Sequence, residues 1–492
     1  MSARLSSLAD RIADATVRGG DADLVDATHD SREVAPGALF CAVPGRSSDG
    51  HDHAADALAA GASALLVERP LDLPLPQLVV PSVRHAMGPV AAGVHGDPSD
   101  ELRMVGVTGT NGKTTVTFLL EAAMSAAGWG SGLIGTLGSR LHGRSRPGVR
   151  TTPEATDLQR TLRSMRVRGA DAVAMEVSSH GLDLHRVDGI VFDVAAFTNL
   201  TQDHLDWHGT MDRYRAAKAR LFTPDLARHA VVHVDAPGAR EMLELVRVPV
   251  TTIGRSSDDD VTVLEREVRP TGSSARLHID GMTVRVSTVM RGTHNLDNLI
   301  LAVVTAVRAG IDAEVAAEAL ADVPAPAGRL EPFGGGEHPL VLVDYAHTPD
   351  AVAGAVTVGR GLVAESARLH VVLGAGGDRD RDKRTPMGAA AAAADVVVVT
   401  DDNPRSEDPA AIRAAVLAGA RDGIAHVVEI AGRTEAIRRA VRDAEAGDVV
   451  LVLGRGHETH QEVRCERLPL DDRELVRDAL VLRGTADDGA GR

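Results

Sequence analysis

The run Met104-Val105-Gly106-Val107 leads into Gly109-Thr110-Asn111-Gly112-Lys113-Thr114-Thr115, and a helical pattern through Phe118-Leu119-Leu120 follows directly. A strand, a glycine loop and a helix in that order form one βα unit, with the loop at the carboxyl end of the strand. Further apolar, β-branched runs at 172–177, 191–197 and 230–234 are separated by helical stretches. Buried strands that alternate with helices imply a parallel sheet covered on both faces.

At 492 residues the chain is too long for one core, and about 150 residues per domain suggests three. Residues 1–100 carry turn-rich text at His29-Asp30-Ser31-Arg32, Pro36-Gly37 and Gly45 to Gly50, then the apolar run Ala64-Leu65-Leu66-Val67, and close at Gly96-Asp97-Pro98. Breakers gather again at Pro324 to Gly328 and Gly334 to Gly336, after which strands at 340–343, 369–373, 396–400 and 449–453 restart the βα rhythm. The expected fold class is therefore α/β in three domains: a small N-terminal α/β unit (1–100), a central parallel-sheet unit carrying the phosphate loop (101–332), and a Rossmann-like, doubly wound C-terminal unit (333–492).

Composition removes several function classes. A formal charge of −16 argues against non-specific nucleic-acid binding, and with 2% aromatic residues the chain lacks stacking platforms for single strands. No apolar run approaches the about 20 residues a membrane helix needs, and the N-terminus lacks a signal pattern, so a cytoplasmic protein without membrane insertion is expected. Cys41 and Cys465 stand far apart and indicate neither a disulfide framework nor a zinc site.

Only three of the 53 basic residues are lysines: Lys113, Lys218 and Lys383. A chain that uses Arg almost everywhere keeps an ammonium where a guanidinium cannot serve, as a compact charge against phosphate or as a deprotonatable amine. In the glycine loop, backbone N–H groups and the helix N-terminus favour an anion, Lys113 reaches toward terminal phosphates, and Thr114 is placed to ligate magnesium. The usual phosphate-loop spacing would put a glycine at 107, where Val107 stands. That departure sets the loop apart from ordinary P-loop NTPases and favours a variant with a shorter glycine core. Glu176 ends one strand and Asn199 to His204 follow the next, so both should open onto the same crevice. Glu176, His204 and Thr114 make a plausible set for one or two Mg²⁺ ions.

Gly109 to Thr115, Met175-Glu176-Val177-Ser178-Ser179-His180, Asn199 to His204 and Tyr214-Arg215-Ala216-Ala217-Lys218 together resemble the ATP-dependent Mur ligases of peptidoglycan synthesis. The resemblance implies that Lys218 is carbamylated by CO₂, giving a carboxylate that helps hold a second magnesium; only a neutral primary amine can attack CO₂. It also implies that Gly109, Thr110, Asn111, Gly112, Lys113, Thr114 and Thr115 hold ATP. Arg329 and Lys383 would face phosphate or acyl phosphate, Asp344 the ribose, and Asn295 the adenine. Asp402-Asn403-Pro404-Arg405 resembles the signature of the members that add meso-diaminopimelate to UDP-N-acetylmuramoyl-L-alanyl-D-glutamate, and Arg405 is a natural partner for a distal carboxylate. Arg379, Gly454 and Glu458 match the rest of that pocket, with Glu458 taking the distal ammonium. Ser31, with the Gly45 to Gly50 turn, resembles the UDP-holding part. Thr151, Thr152, Ser178 and Arg186 match the residues that grip the muramoyl-dipeptide.

The expected enzyme is thus an ATP-dependent, amide-forming ligase acting through an acyl phosphate, as a monomer. Lysine or ornithine as the added amino acid, a folylpolyglutamate-type ligase, and a P-loop switch or transport ATPase remain the alternatives.

Overall fold

The computed structural model describes residues 2–45, 48–464 and 466–490, the last seven of these as backbone only. Cys465 and part of the Gly45 to Gly50 turn lie outside the described residues. Three α/β sheets succeed one another along the chain.

In the first sheet, Asp26–Thr28, Ala38–Cys41, Ala64–Val67 and Gln77–Val79 run parallel, and Thr16–Arg18 adds an antiparallel edge. Its helix Val83–Val94 packs on the central helix Ala155–Val167. Arg84 pairs with Glu154 at 2.7 Å and His29 bonds Thr156 at 2.9 Å across this junction.

The central sheet has eleven strands. Its middle places Ser131–Gly135, Ala172–Glu176, Arg103–Thr108, Val194–Phe197, Ala230–His233 and Val250–Gly254 side by side and parallel. Every residue of Ala172–Glu176, Val194–Phe197 and Ala230–His233 is buried, as expected of strands covered on both faces. Helices Lys113–Ala126 and Thr293–Arg308 cover one face together, and Ala155–Val167 lies on the other.

The α/β class expected from the sequence holds, with one addition. Val261–Arg269, Gly272–Ile279 and Met282–Thr288 extend the central sheet, the last two as antiparallel hairpin strands. Gly272–Ile279 reads polar because alternate residues face solvent, so no continuous apolar run announces it.

The third sheet orders Leu340–Asp344, Val449–Leu453, Leu369–Leu373, Val396–Val399 and His426–Glu429 in parallel, with Glu331–Gly334 antiparallel at the edge. Among the described residues no helix is long and apolar enough to cross a membrane.

Candidate active site

Strand order fixes the site. Ala172–Glu176 and Val194–Phe197 flank the phosphate-loop strand, with Glu176 opposite Val107 and Phe197 opposite Thr108. The carboxyl ends of all three strands therefore open on one crevice. A cavity of about 840 Å³ lies there, walled by the loop, by Glu176 and His204, and by Arg329, Asp344 and Tyr345 from the third unit and its junction. Asn111 Nδ2, Thr201 Oγ1 and Arg329 Nε are buried without hydrogen-bond partners around the loop, as a site shaped for a polar ligand would leave them.

Lys113 opens the helix behind the loop and folds its Nζ back onto the carbonyls of Gly109 and Thr110, at 2.8 Å each. Burial pushes its pKa down, against the pull of Glu176 beside it. Lys218 comes from the helix Met211–Ala219 and is 1% exposed. Its Nζ donates to the same Gly109 carbonyl at 2.7 Å and lies 4.5 Å from the centre of the Tyr214 ring. Burial, and then the neighbouring Lys113 charge, hold the Lys218 amine well below its usual pKa. Both effects favour the neutral amine, the nucleophilic form.

Glu176 is 1% exposed, and its carboxylate accepts from the Thr136 N–H (2.8 Å), the Thr136 hydroxyl (3.0 Å) and the Thr114 hydroxyl (3.1 Å). Arg329 Nη2 donates to that same Thr114 hydroxyl at 3.0 Å, so a residue from the junction with the third unit completes the loop. His204 has φ 55° and sits with its Nε2 3.3 Å from the Asp203 carboxylate and its ring 4.7 Å from that of His180. Burial pushes its pKa down to about 2, which keeps the imidazole neutral, the form that ligates metal. Among the described residues no three His, Cys, Asp or Glu side chains converge as a metal cage. The donors around the loop are instead a buried carboxylate, a hydroxyl, a neutral imidazole and an amine. Mg²⁺ prefers oxygen donors, and the Glu176 carboxylate and the Thr114 hydroxyl, 3.1 Å apart, are of that kind.

Asp344 accepts from the Leu330 N–H at 2.7 Å, and burial pushes its carboxyl up against the pull of Arg329. Asn295 and Asn298, on the helix Thr293–Arg308, bond each other at 3.2 Å and line the cavity. Lys383 reaches from the third unit to Asp203 at 3.4 Å, both side chains being buried. Burial raises Asp203, but His347, His204 and Lys383 outweigh it and hold the carboxyl well below its usual range. Asp203 lay inside a motif the sequence displayed without a role of its own. Thr136 gave no sequence signal at all, because a lone hydroxyl after a buried strand is common.

A second cluster gathers at the carboxyl ends of the third sheet. Asn403 donates to Glu458 at 2.7 Å and accepts from Arg455 at 2.8 Å. Gly454 passes so close to Asp402 that a Cβ would lie 2.4 Å from its Oδ2. Burial, then the nearby Asp402, push the Glu458 carboxyl up. Arg405 has φ 51°, follows Pro404, and donates to Glu462 at 2.9 Å and to the Gly377 carbonyl at 2.7 Å. Arg379 is exposed and bonds only the adjacent Asp378 carbonyl among the described residues. Arg455 is fully buried and also holds the His460 and Leu470 carbonyls, a structural post rather than a free cation.

On the opposite side, Thr152 is fully buried and donates to the Glu176 carbonyl at 3.0 Å, while Ser178 caps the helix Ser179–Asp183. Arg186 donates to the Thr152 carbonyl at 3.1 Å and pairs with Glu154 at 2.8 Å. Thr151 bonds Thr136 at 3.0 Å, which ties this group to Glu176. Ser31 begins a short 3₁₀ turn on the first unit, outside the large cavity.

Three family models match the chain: "Mur ligase family, catalytic domain" over residues 27–95, "Mur ligase middle domain" over 107–306, and "Mur ligase, glutamate ligase domain" over 328–456. A UDP-N-acetylmuramoyl-L-alanyl-D-glutamate--2,6-diaminopimelate ligase from Geobacillus thermodenitrificans is 44% identical over 474 residues, covering 95% of this chain and 96% of that one. The enzyme of the same name from Streptomyces coelicolor is 44% identical over 489 residues, covering 97% and 96%. A solved structure of a ligase of that name superposes with a TM-score of 0.67 at 32% identity, covering 94% and 96%.

Proposed function

The chain belongs to the Mur ligase family, and we propose that within it this enzyme uses ATP to join meso-2,6-diaminopimelate to UDP-N-acetylmuramoyl-L-alanyl-D-glutamate. The relatives' shared name supports the substrates, and the Asp402 to Arg405 cluster supports the choice of amino acid. The observation that carries the chemistry is Lys218, a buried lysine amine directed at the phosphate loop.

Its neutral amine attacks CO₂; an N–C bond forms, one proton leaves to solvent, and a carbamate results. Glu176, Thr114 and His204, together with that carbamate, would hold Mg²⁺, which would supply positive charge against the transferring phosphoryl. Lys113 turns from the Gly109 and Thr110 carbonyls onto the terminal phosphates. Arg329 faces them from the third-unit side. The substrate γ-carboxylate attacks the terminal phosphorus, ADP leaves, and an acyl phosphate forms. Arg405 and Glu458 hold the distal carboxylate and ammonium of diaminopimelate, so that its free amine attacks the acyl carbon, phosphate departs and a proton is released. Lys383 on Asp203, with Arg329 on Thr114, holds the third unit against the central one. That closure keeps water from hydrolysing the acyl phosphate. Thr152, Ser178 and Arg186 seat the dipeptide, and Ser31 contributes to holding UDP. The enzyme works as a cytoplasmic monomer.

Phosphate release with UDP-N-acetylmuramoyl-L-alanyl-D-glutamate, while diaminopimelate, lysine and ornithine are varied, tests the reading. Turnover with diaminopimelate is expected. Preference for lysine or ornithine would overturn the role of Arg405, and ATP hydrolysis indifferent to the UDP-substrate would overturn the ligase.

A further inference from the structure

His233 ends the strand Ala230–His233 and is 4% exposed, yet neither ring nitrogen has a hydrogen-bond partner. A buried imidazole with both nitrogens idle has its whole hydrogen-bonding capacity unspent within the protein. The ring lines the same cavity as the phosphate loop. Its strand is the second neighbour of the loop strand, through Val194–Phe197, which puts it about 10 Å to the side at about 4.8 Å per strand. That offset suits the base of a nucleoside triphosphate whose terminal phosphates sit on the loop.

Ala351, Gly354 and Val358 of the helix Pro349–Leu362 also line this cavity, small apolar residues against which a flat ring can lie. Asn295, which also lines the cavity, already spends its amide: Nδ2 donates to the Arg291 carbonyl at 2.9 Å, and Oδ1 accepts from Asn298 at 3.2 Å. His233 has its full hydrogen-bonding capacity left.

We infer that His233 reads the nucleobase of ATP, hydrogen-bonding the edge of the purine at the far end of the cavity from Lys113. The inference rests on the proposed use of ATP. Burial keeps the ring neutral, with one donor and one acceptor, and no partner fixes which nitrogen holds the proton.

Calorimetric titration of ADP and of inorganic tripolyphosphate into the wild type, His233→Ala, His233→Asn and His233→Phe tests it. The alanine variant should bind ADP about fivefold to tenfold more weakly. The asparagine variant, which has both a donor and an acceptor, should recover most of that loss, and tripolyphosphate should bind all four alike. His233→Phe keeps a ring and loses both nitrogens; it should match alanine, and it carries the test if the alanine variant does not fold. ADP binding unchanged in the alanine and phenylalanine variants, equal weakening of tripolyphosphate, or an asparagine variant as weak as alanine would each overturn the assignment. A wild type that binds no ADP would instead bring down the ATP reading, and this inference with it.

Discussion

Lys113 and Lys218 donate to one acceptor, the Gly109 carbonyl, at 2.8 and 2.7 Å. Two ammonium groups sharing a carbonyl in a buried site repel, and the cost falls on the more deeply buried of them. Burial first, and then the Lys113 charge, depress the Lys218 pKa, while Lys113 is itself lowered by burial.

Replacing Lys218 with Ala should lower kcat by at least about 10²-fold, the scale of losing one electrostatic stabiliser. Lys218→Arg should be no better, because a guanidinium does not deprotonate. Steady-state ligation assays check both, and added short carboxylates should partly restore the alanine variant. Full turnover by the arginine variant would contradict the account.

Arg329→Ala removes the donor to the Thr114 hydroxyl and the cation 4.7 Å from the centre of the Tyr345 ring. An expected kcat loss of about 10²-fold, with little change in KM for diaminopimelate, separates a role at the phosphates from one in the amino-acid pocket. Kinetics with each substrate varied in turn would show it.

Glu458 has a raised carboxyl pKa, so on acidification it protonates earlier than an ordinary glutamate and, in the role proposed for it, loses the charge that would face the diaminopimelate ammonium. KM for diaminopimelate should rise as pH falls through that titration. Glu458→Gln should show a high KM that no longer varies with pH over the same range. A pH profile of KM for both proteins decides it.

Arg433 and Asp472 form a fully buried pair at 2.6 Å that ties the helix Asp472–Ala490 to the helix Arg433–Asp443. Asp472→Ala leaves a buried guanidinium unpaired and should destabilise the protein by about 3–5 kcal/mol. Thermal or urea unfolding measures the loss.

The parallel strands were legible because each is buried on both faces and reads as an unbroken apolar run; Ala172–Glu176 and Val449–Leu453 are examples. The hairpin Gly272–Thr288 was not, since one of its faces meets solvent and its sequence reads as polar. At the site, residues inside dense motifs were visible: the loop, Glu176, Lys218, and Asp402 to Arg405. Asp203 stood inside a motif but without a role of its own, and Thr136 and His233 gave no signal, because what sets the three apart lies in partners from distant segments, or in the lack of any. Single positions do not carry that information. Gly112 shows the same limit: its φ of 86° and the 2.4 Å from a would-be Cβ to Asn298 Oδ1 are tertiary facts, although its place in the loop was plain.

Carbon-13 NMR of the active enzyme equilibrated with ¹³C-bicarbonate most directly tests the claim that the buried Lys218 amine becomes a carboxylate. The account predicts a protein-bound carbamate resonance that is present in the wild type and missing from Lys218→Ala. An active wild-type enzyme with no such resonance at saturating bicarbonate would contradict it.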